Sequence, residues 1–186
     1  MKREKGRGKR SLLFLVPLVL GLAVLGYVVT QPAVPASFGA GDIAPDFELK
    51  VVGPSGLTGE TVKFSSLRGR VVFLEFMESW CSACRWIAPA IETIREDYEA
   101  RGVVFISVAG THRGANATST AAFIREYGTE WTYVLDSDNK VFSKYSVEGT
   151  PTFFIIDGNG VIVSTYKGGT TTSQELTSAL DAALER

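Results

Sequence analysis

The chain has 186 residues, of which 45% are apolar and 11% aromatic, enough for one globular domain of ordinary size with an appendage. Its formal net charge of −1 hides a basic start, because residues 1–10 carry six Lys and Arg side chains against one Glu. Removing them from totals of 19 basic and 20 acidic residues leaves 13 and 19, and this acidic remainder argues against nucleic acid as the main partner.

Residues 11–30 follow the basic tail and contain no charged side chain. A helix needs about 20 apolar residues to cross a bilayer, and positive charge before it keeps that end in the cytoplasm. We therefore predict a single-pass signal-anchor over 11–30 in the cell membrane, with the rest of the chain outside the cytoplasm. The alternative is a signal peptide cleaved near residues 34–36, which would release a secreted domain.

A linker rich in Pro, Gly and Ala over residues 31–40 leads to a predicted domain at 41–186. Strands that alternate with helices, followed by a closing hairpin and helix, predict an α/β sandwich with a mixed sheet. The predicted elements are a hairpin within 46–64 with its loop at 53–59, strands at 71–76, 103–108, 131–135, 152–156 and 161–166, and helices at 84–101, 120–127, 141–145 and from 172 onwards. The helix after Cys84 has an apolar stripe at Ile87, Ile91, Ile94 and Tyr98. Thr172 and Glu175 form a capping box that opens the last helix.

Both cysteines of the chain stand in the run Trp-Cys-Ser-Ala-Cys at 80–84, between a predicted strand and a predicted helix. A structural disulfide this short would constrain the unfolded chain little, because that benefit grows with loop length. At the start of a helix, the dipole would stabilise the thiolate of Cys81. Cys84, one turn on, would attack a mixed disulfide formed by Cys81. The spacing therefore favours a redox pair.

Glu75 is the only charged residue between positions 71 and 77. A carboxylate buried in such a strand should have a raised pKa and could accept or donate a proton during exchange. The alternative interpretation is a surface residue on an edge strand.

The residues that the sequence offers as ligands decide whether a zinc or haem site is possible. A zinc site needs four ligands, and the chain offers two cysteines and His112. Haem attachment needs His directly after the second cysteine, where Arg85 stands. We interpret His112 as a solvated loop residue, with tuning of the site or of a partner surface as the alternative. Residues 116–118 form a glycosylation sequon in the same segment.

Two prolines stand at positions where they should change the backbone conformation. Pro89 falls inside the helical pattern, where it removes an amide donor and should kink the helix. Pro151 directly precedes a predicted strand, which is a plausible place for a cis peptide bond.

Together these residues resemble the thioredoxin superfamily and, more narrowly, the membrane-anchored TlpA/ResA-like thiol-disulfide oxidoreductases. The similarity covers about residues 41–184. It rests on the run at 80–84, the acid six residues before Cys81, Pro89 five residues after Cys84, the run Glu-Gly-Thr-Pro-Thr at 148–152, the opening motif at 41–47 and an inserted segment around 109–130.

The resemblance implies a thioredoxin fold with an N-terminal β-hairpin extension and a central insertion. It implies Cys81 as nucleophile, Cys84 as resolving thiol with a Cys81–Cys84 disulfide, and Glu75 as the buried acid. Trp80, Thr150 and a cis Pro151 would contact the substrate, and Pro89 would be structural. No metal or cofactor is implied beyond the disulfide.

The implied partners are protein thiols or disulfides, among them those of apo-cytochrome c, and a membrane electron donor of the thioredoxin-dependent reductase type. The resemblance favours a reductase. However, Ser82 and Ala83 stand where relatives often have Gly-Pro or Glu-Pro, and this pair influences the redox potential. The direction of electron flow is therefore open.

Two rival functions use the same fold. A thiol peroxidase of the peroxiredoxin class should have Thr three residues before its cysteine, where Glu78 stands before Cys81. A copper carrier would use thiolates for Cu(I), but the relatives that carry copper also have a late His, and none follows His112.

Overall fold

A computed structural model describes residues 38–186 of the chain. Within this range one sheet holds seven strands: β1 (Glu48–Gly53), β2 (Gly56–Lys63), β3 (Val72–Met77), β4 (Val104–Ala109), β5 (Thr132–Leu135), β6 (Thr152–Ile156) and β7 (Ile162–Lys167). The α-helices of the same range are α1 (Ser82–Glu99), α2 (Ala117–Tyr127), α3 (Lys140–Lys144) and α4 (Ser173–Leu184).

The predicted basic tail, the signal-anchor at 11–30 and most of the linker lie outside the described residues, so they stay predictions. Within the described part of the chain, no helix combines the length and the apolar character that crossing a bilayer requires. Phe38, near the end of the predicted linker, packs its ring 6.1 Å from that of Tyr145. Its carbonyl accepts a hydrogen bond from Thr165 Oγ1 at 3.4 Å, so residue 38 already contacts the domain.

The strand order β2-β1-β5-β4-β3-β6-β7 places β3 and β4 in the interior of the sheet. β4 runs parallel to both β3 and β5, and every other pair is antiparallel, which confirms the predicted mixed sheet. All six residues of β3 are buried. A strand covered on both faces should read as a continuous apolar run, and β3 does so except at Glu75.

Two apolar clusters cover the two faces of the sheet, and alternate residues of β3 enter them. Phe73 and Met77 belong to the cluster that contains α1 and α4, whereas Leu74 and Phe76 belong to the other. Because side chains alternate along a strand, Glu75 lies on the α1 face. The predicted apolar stripe of α1 is buried on that face at Ile87, Ile91, Ile94 and Tyr98.

The N-terminal hairpin is present, but its turn is shorter than the predicted loop at 53–59. The turn contains Pro54 and Ser55, and β2 begins at Gly56, which pairs with Gly53. Gly56 has a φ of +114°, a backbone conformation that glycine adopts without a steric cost. The following residues become strand because β1 supplies their hydrogen-bond partners, which outweighs the low strand preference of glycine.

Helix α2 begins at Ala117, three residues before the predicted start. The Asn116 side chain caps it, with Oδ1 accepting the N–H groups of Thr118 at 2.9 Å and Ser119 at 3.1 Å. The Ser119 hydroxyl accepts the Asn116 N–H in return at 3.0 Å. The sequon at 116–118 therefore also forms the start of a helix, a cap that was not predicted from the sequence. By contrast, the predicted capping box of Thr172 and Glu175 is confirmed at α4.

Candidate active site

The two cysteines lie where the chain passes from β3 into helix α1. Cys81 is the N-cap residue of this 18-residue helix, and Cys84 lies in its first turn. Their side chains form a disulfide with the Cα atoms 5.3 Å apart. The backbone N–H of Cys81 donates to the carbonyl of Glu78 at 2.9 Å, which fixes the turn that leads into the helix. The ring therefore sits at the positive end of the helix dipole.

Both sulfurs are shielded from solvent, since Cys81 is 4% exposed and Cys84 is fully buried. The Cys84 N–H donates to Cys81 Sγ at 3.1 Å, so the helix end itself would stabilise a Cys81 thiolate. Among residues 38–186, no Lys, Arg or His side chain hydrogen-bonds to either sulfur, and Arg85 instead donates to the carbonyl of Ser79 at 2.9 Å. The same residues contain no cluster of three metal-ligating side chains.

The loop before β6 lies against the disulfide. The peptide bond between Thr150 and Pro151 is cis, as predicted. β6 runs antiparallel to β3, with Thr152 opposite Phe76, and this pairing brings the loop to the end of β3. As a result, the carbonyl oxygen of Thr150 lies 3.4 Å from Cys81 Sγ. The structure thus brings Cys81, Thr150 and Pro151 together.

Glu75 occupies the middle of β3, between Ser107 of β4 and Phe153 of β6. It is 3% exposed, which excludes the edge-strand surface alternative. The Ser107 hydroxyl donates to Glu75 Oε2, and Ser107 Oγ in turn accepts the Trp131 Nε1–H at 2.7 Å. The carboxyl group is therefore held in a fixed orientation inside the apolar layer beneath α1.

Burial raises the pKa of Glu75 to about 7, although the hydrogen bond from Ser107 opposes this rise. Removal from water disfavours the charged carboxylate, which is the dominant cause. A group with such a pKa exchanges its proton near neutral pH, so the structure agrees with the predicted acid–base character of Glu75.

Replacing Ser107 with Ala should raise the pKa of Glu75 further, because the variant loses the hydrogen bond that favours the carboxylate. We expect an upward shift of roughly one unit, the usual size of a single hydrogen-bond effect on a carboxyl group. A ¹³C NMR titration of the Glu75 carboxyl carbon measures it directly. Ser107→Thr keeps the hydroxyl and is the matched control. A titration midpoint equal in Ser107→Ala and the native chain would contradict this account.

Trp80 borders the disulfide on the solvent side. The residue is 39% exposed, and its Nε1–H donates to the carbonyl of His112 at 3.0 Å. The guanidinium of Arg113 lies over the indole, 4.4 Å from the ring centroid. The turn at His112–Gly114 therefore fixes the ring next to Cys81, where a bound substrate could contact it.

His112 is half-exposed between β4 and α2, as predicted for a solvated loop residue, but its ring also contacts a buried carboxylate. Its Nδ1 lies 2.6 Å from Glu78 Oε1, which also accepts the His112 N–H at 3.2 Å. Glu78 follows β3 and His112 follows β4, and the ends of parallel strands meet at one edge of a sheet. Polar residues after two adjacent strands were the signal that could have predicted this pair. Glu78 also shows that no hydroxyl stands at the position a thiol peroxidase would need.

Pro89 lies on the exposed side of α1, and the helix continues through it from Ser82 to Glu99. Proline removes the N–H that would donate to the carbonyl of Arg85. The Thr93 hydroxyl donates to the Pro89 carbonyl at 3.2 Å. The predicted kink and the structural role of Pro89 stay predictions.

Comparison with known proteins gives a consistent result. The AhpC/TSA family model matches residues 40–165. Thiol-disulfide oxidoreductase ResA of Bacillus subtilis (strain 168) is 30% identical over 168 residues, covering 89% of each chain. ResA of Geobacillus thermodenitrificans (strain NG80-2) is 29% identical over 187 aligned positions, covering 98% of each chain.

A solved structure described as a thiol:disulfide interchange protein DsbE from Chlorobium tepidum superposes with a TM-score of 0.69 and 30% identity. It covers 80% of this chain and 99% of its own length, which confirms the predicted thioredoxin-like α/β fold. The chain thus belongs to the AhpC/TSA family of thioredoxin-like proteins, within which its Cys81–Cys84 pair and its ResA relatives identify it as a thiol-disulfide oxidoreductase.

Proposed function

We propose that the chain is a reductase of protein disulfides outside the cytoplasm, with Cys81 as its nucleophile. The observation that carries this proposal is the contact between the cis-proline loop and the disulfide, where the Thr150 carbonyl lies 3.4 Å from Cys81 Sγ. A substrate chain that pairs with the backbone of Thr150 and Pro151 would present its own sulfur to Cys81. Trp80 would cover the bound segment.

The proposed disulfide exchange takes place in two steps. The Cys81 thiolate attacks one sulfur of the substrate disulfide, forms a mixed disulfide and releases the other sulfur as a thiolate, which takes a proton. The Cys84 thiolate then attacks Cys81 Sγ, closes the Cys81–Cys84 disulfide and releases the second substrate thiolate. Two electrons pass from the enzyme to the substrate. A dithiol electron donor must then reduce the enzyme again.

Glu75 would accept the proton that Cys84 loses in the second step. It lies on the face of β3 that packs against α1, the helix that carries Cys84 in the same apolar cluster as Phe73 and Met77. Its pKa of about 7 allows it to be ionised before the step and protonated after it at neutral pH.

The surroundings of Cys81 support the reducing direction. A dithiol is a strong oxidant when the protein stabilises its reduced, thiolate-containing form. Here Cys81 Sγ receives one backbone N–H, from Cys84, and no cationic side chain among the described residues hydrogen-bonds to it. The disulfide form is therefore favoured, as in a reductant.

The proposed location and partners rest on the sequence. The basic residues 1–10 and the apolar residues 11–30 support a membrane anchor with the domain outside the cytoplasm. On that side, protein disulfides such as those of apo-cytochrome c are substrates of suitable chemistry, and a membrane dithiol reductase would supply electrons. These assignments are part of the proposal.

A single-turnover assay tests the proposed activity. The reduced full chain is mixed with an equal amount of a disulfide peptide, and released thiols are counted by mass spectrometry after alkylation. We expect about one peptide disulfide reduced and one Cys81–Cys84 disulfide formed per chain. Peptide that stays oxidised, together with an enzyme that stays reduced, would contradict the proposal.

A further inference from the structure

A cavity of about 250 Å³ opens to solvent next to the disulfide, on the side of Trp80. It adjoins the proposed exchange site, because Trp80 precedes Cys81 and the Thr150 carbonyl lies against Cys81 Sγ. None of the exchange steps requires it. The side chains on which its chemistry depends are Glu78, Trp80, His112, Phe142 and Glu148.

Two hydrogen bonds at the base of the cavity hold His112 against Glu78. Glu78 Oε1 accepts both the backbone N–H and the Nδ1 of His112, at 3.2 and 2.6 Å. Because a carboxylate only accepts, Nδ1 carries the proton in this contact. The His112 side chain is 50% exposed, and it forms part of the cavity wall.

Glu78 is unusually buried for an acid at the wall of a cavity. Its side chain is 2% exposed, and its Oε2 has no hydrogen-bond partner among the described residues. A Cβ at Gly110 would collide with Glu78 Oε1 and lie 2.9 Å from Phe142 Cζ, so the absence of a side chain there leaves room for the carboxylate. A buried carboxylate oxygen without a partner favours a nearby positive charge.

The rest of the cavity adds an apolar wall and a second acid. The rings of Trp80 and Phe142 form the wall, and the exposed carboxylate of Glu148 lies at the rim. The Arg113 guanidinium, which also lines the cavity, stacks 4.4 Å from the Trp80 ring centroid. This contact shows that the indole face already holds a cation.

We propose that this cavity binds a basic side chain, Lys or Arg, located beside the target cysteine of the substrate. The inference rests on the proposed reductase function and names a substrate class for it. The aliphatic stem of the side chain packs against Trp80 and Phe142, and its charged end donates to the carboxylate of Glu148. Glu78 orients His112 and adds negative charge from below.

The test compares four disulfide peptides that differ only at the residue next to one cysteine: Lys, Arg, norleucine or Glu. The reduced full chain is assayed for kcat/KM with a chemical dithiol as electron donor. We expect the Lys and Arg peptides to exceed the norleucine peptide by about tenfold, and the Glu peptide to be the slowest. Norleucine matches the stem of Lys without its charge, so this ratio isolates the contribution of the ammonium group.

Variants then assign the preference to the cavity. Glu148→Gln and Glu78→Gln should each lower the Lys-to-norleucine ratio to about three or less. Glu60→Gln makes the same charge change on the exposed strand β2 and should leave the ratio unchanged. Glu148 is exposed, so its variant decides the question even if Glu78→Gln fails to fold.

Two results would overturn the inference and are distinguishable from failure of the function itself. Equal kcat/KM for all four peptides would show active exchange without a basic subsite. A Lys preference that survives in both Glu148→Gln and Glu78→Gln would place the preference elsewhere. Failure to reduce any peptide would instead contradict the proposed reductase function, and the subsite with it.

Discussion

A Cys81→Ser chain should reduce the disulfides of insulin or of a disulfide peptide no faster than the solution without enzyme. Cys81 is the sulfur that contacts the Thr150 carbonyl and caps the helix, so it is the one that a substrate on the loop can reach. A hydroxyl in its place is not ionised near neutral pH and does not attack a disulfide. The loss should therefore be at least about a thousandfold.

The reciprocal variant, Cys84→Ser, is its matched control. Cys84 is fully buried behind Cys81, so it cannot meet the substrate first. This variant should still attack the substrate but fail to resolve, and it should accumulate a mixed disulfide through Cys81. Non-reducing gels and mass spectrometry detect this covalent species. A Cys81→Ser chain that keeps full activity, or one that accumulates a mixed disulfide on Cys84, would contradict the mechanism.

A Glu75→Gln chain should resolve the mixed disulfide about 10- to 100-fold more slowly at about pH 8, with its fold intact. In the native chain the rate should rise as pH passes through the Glu75 pKa of about 7, because only the carboxylate can accept the Cys84 proton. The glutamine amide does not titrate, so this rise should be absent from the variant. Gln keeps the size of the side chain and can still accept from Ser107.

Stopped-flow measurement of the resolution step between about pH 6 and 9 tests this role. Formation of the mixed disulfide, the step before resolution, serves as the internal control because it does not require Glu75. Identical pH profiles for the native chain and for Glu75→Gln would refute the role of proton acceptor.

The same substitution should change how stability depends on pH. The pKa of Glu75 is about 7 in the folded chain and 4.5 in the unfolded chain, so folding favours the protonated form. The contribution of Glu75 is fully present below about pH 4.5 and is lost as pH rises through about 7, a total of about 3 kcal/mol. Urea unfolding at about pH 8 should therefore find Glu75→Gln more stable than the native chain.

The sequence predicted the fold where local pattern and tertiary packing agree. The apolar run of β3 became a buried central strand, and the helical stripe at 87–98 became the inner face of α1. The cis bond at Pro151 and the burial of Glu75 were also predicted. The cis bond followed from the family resemblance, because the frequency of cis proline alone would not have predicted it.

Contacts that join distant residues, and turns with their own hydrogen bonds, were not predicted from the sequence. Glu78 and His112 are 34 positions apart, and only the parallel pairing of β3 and β4 brings them together. The N-cap at Asn116 was not predicted, and the sequon at 116–118 stays a prediction because one Asn can serve both purposes. The early start of β2 depends on its pairing with β1.

The redox potential of the Cys81–Cys84 pair, measured in the full chain by equilibration with glutathione or dithiothreitol buffers, tests the central claim most directly. We predict a value below about −220 mV, toward the reducing end of the range near −270 mV, because no cationic side chain of residues 38–186 hydrogen-bonds to Cys81 Sγ. A value near about −120 mV would identify the chain as an oxidant and contradict the proposed direction of electron flow.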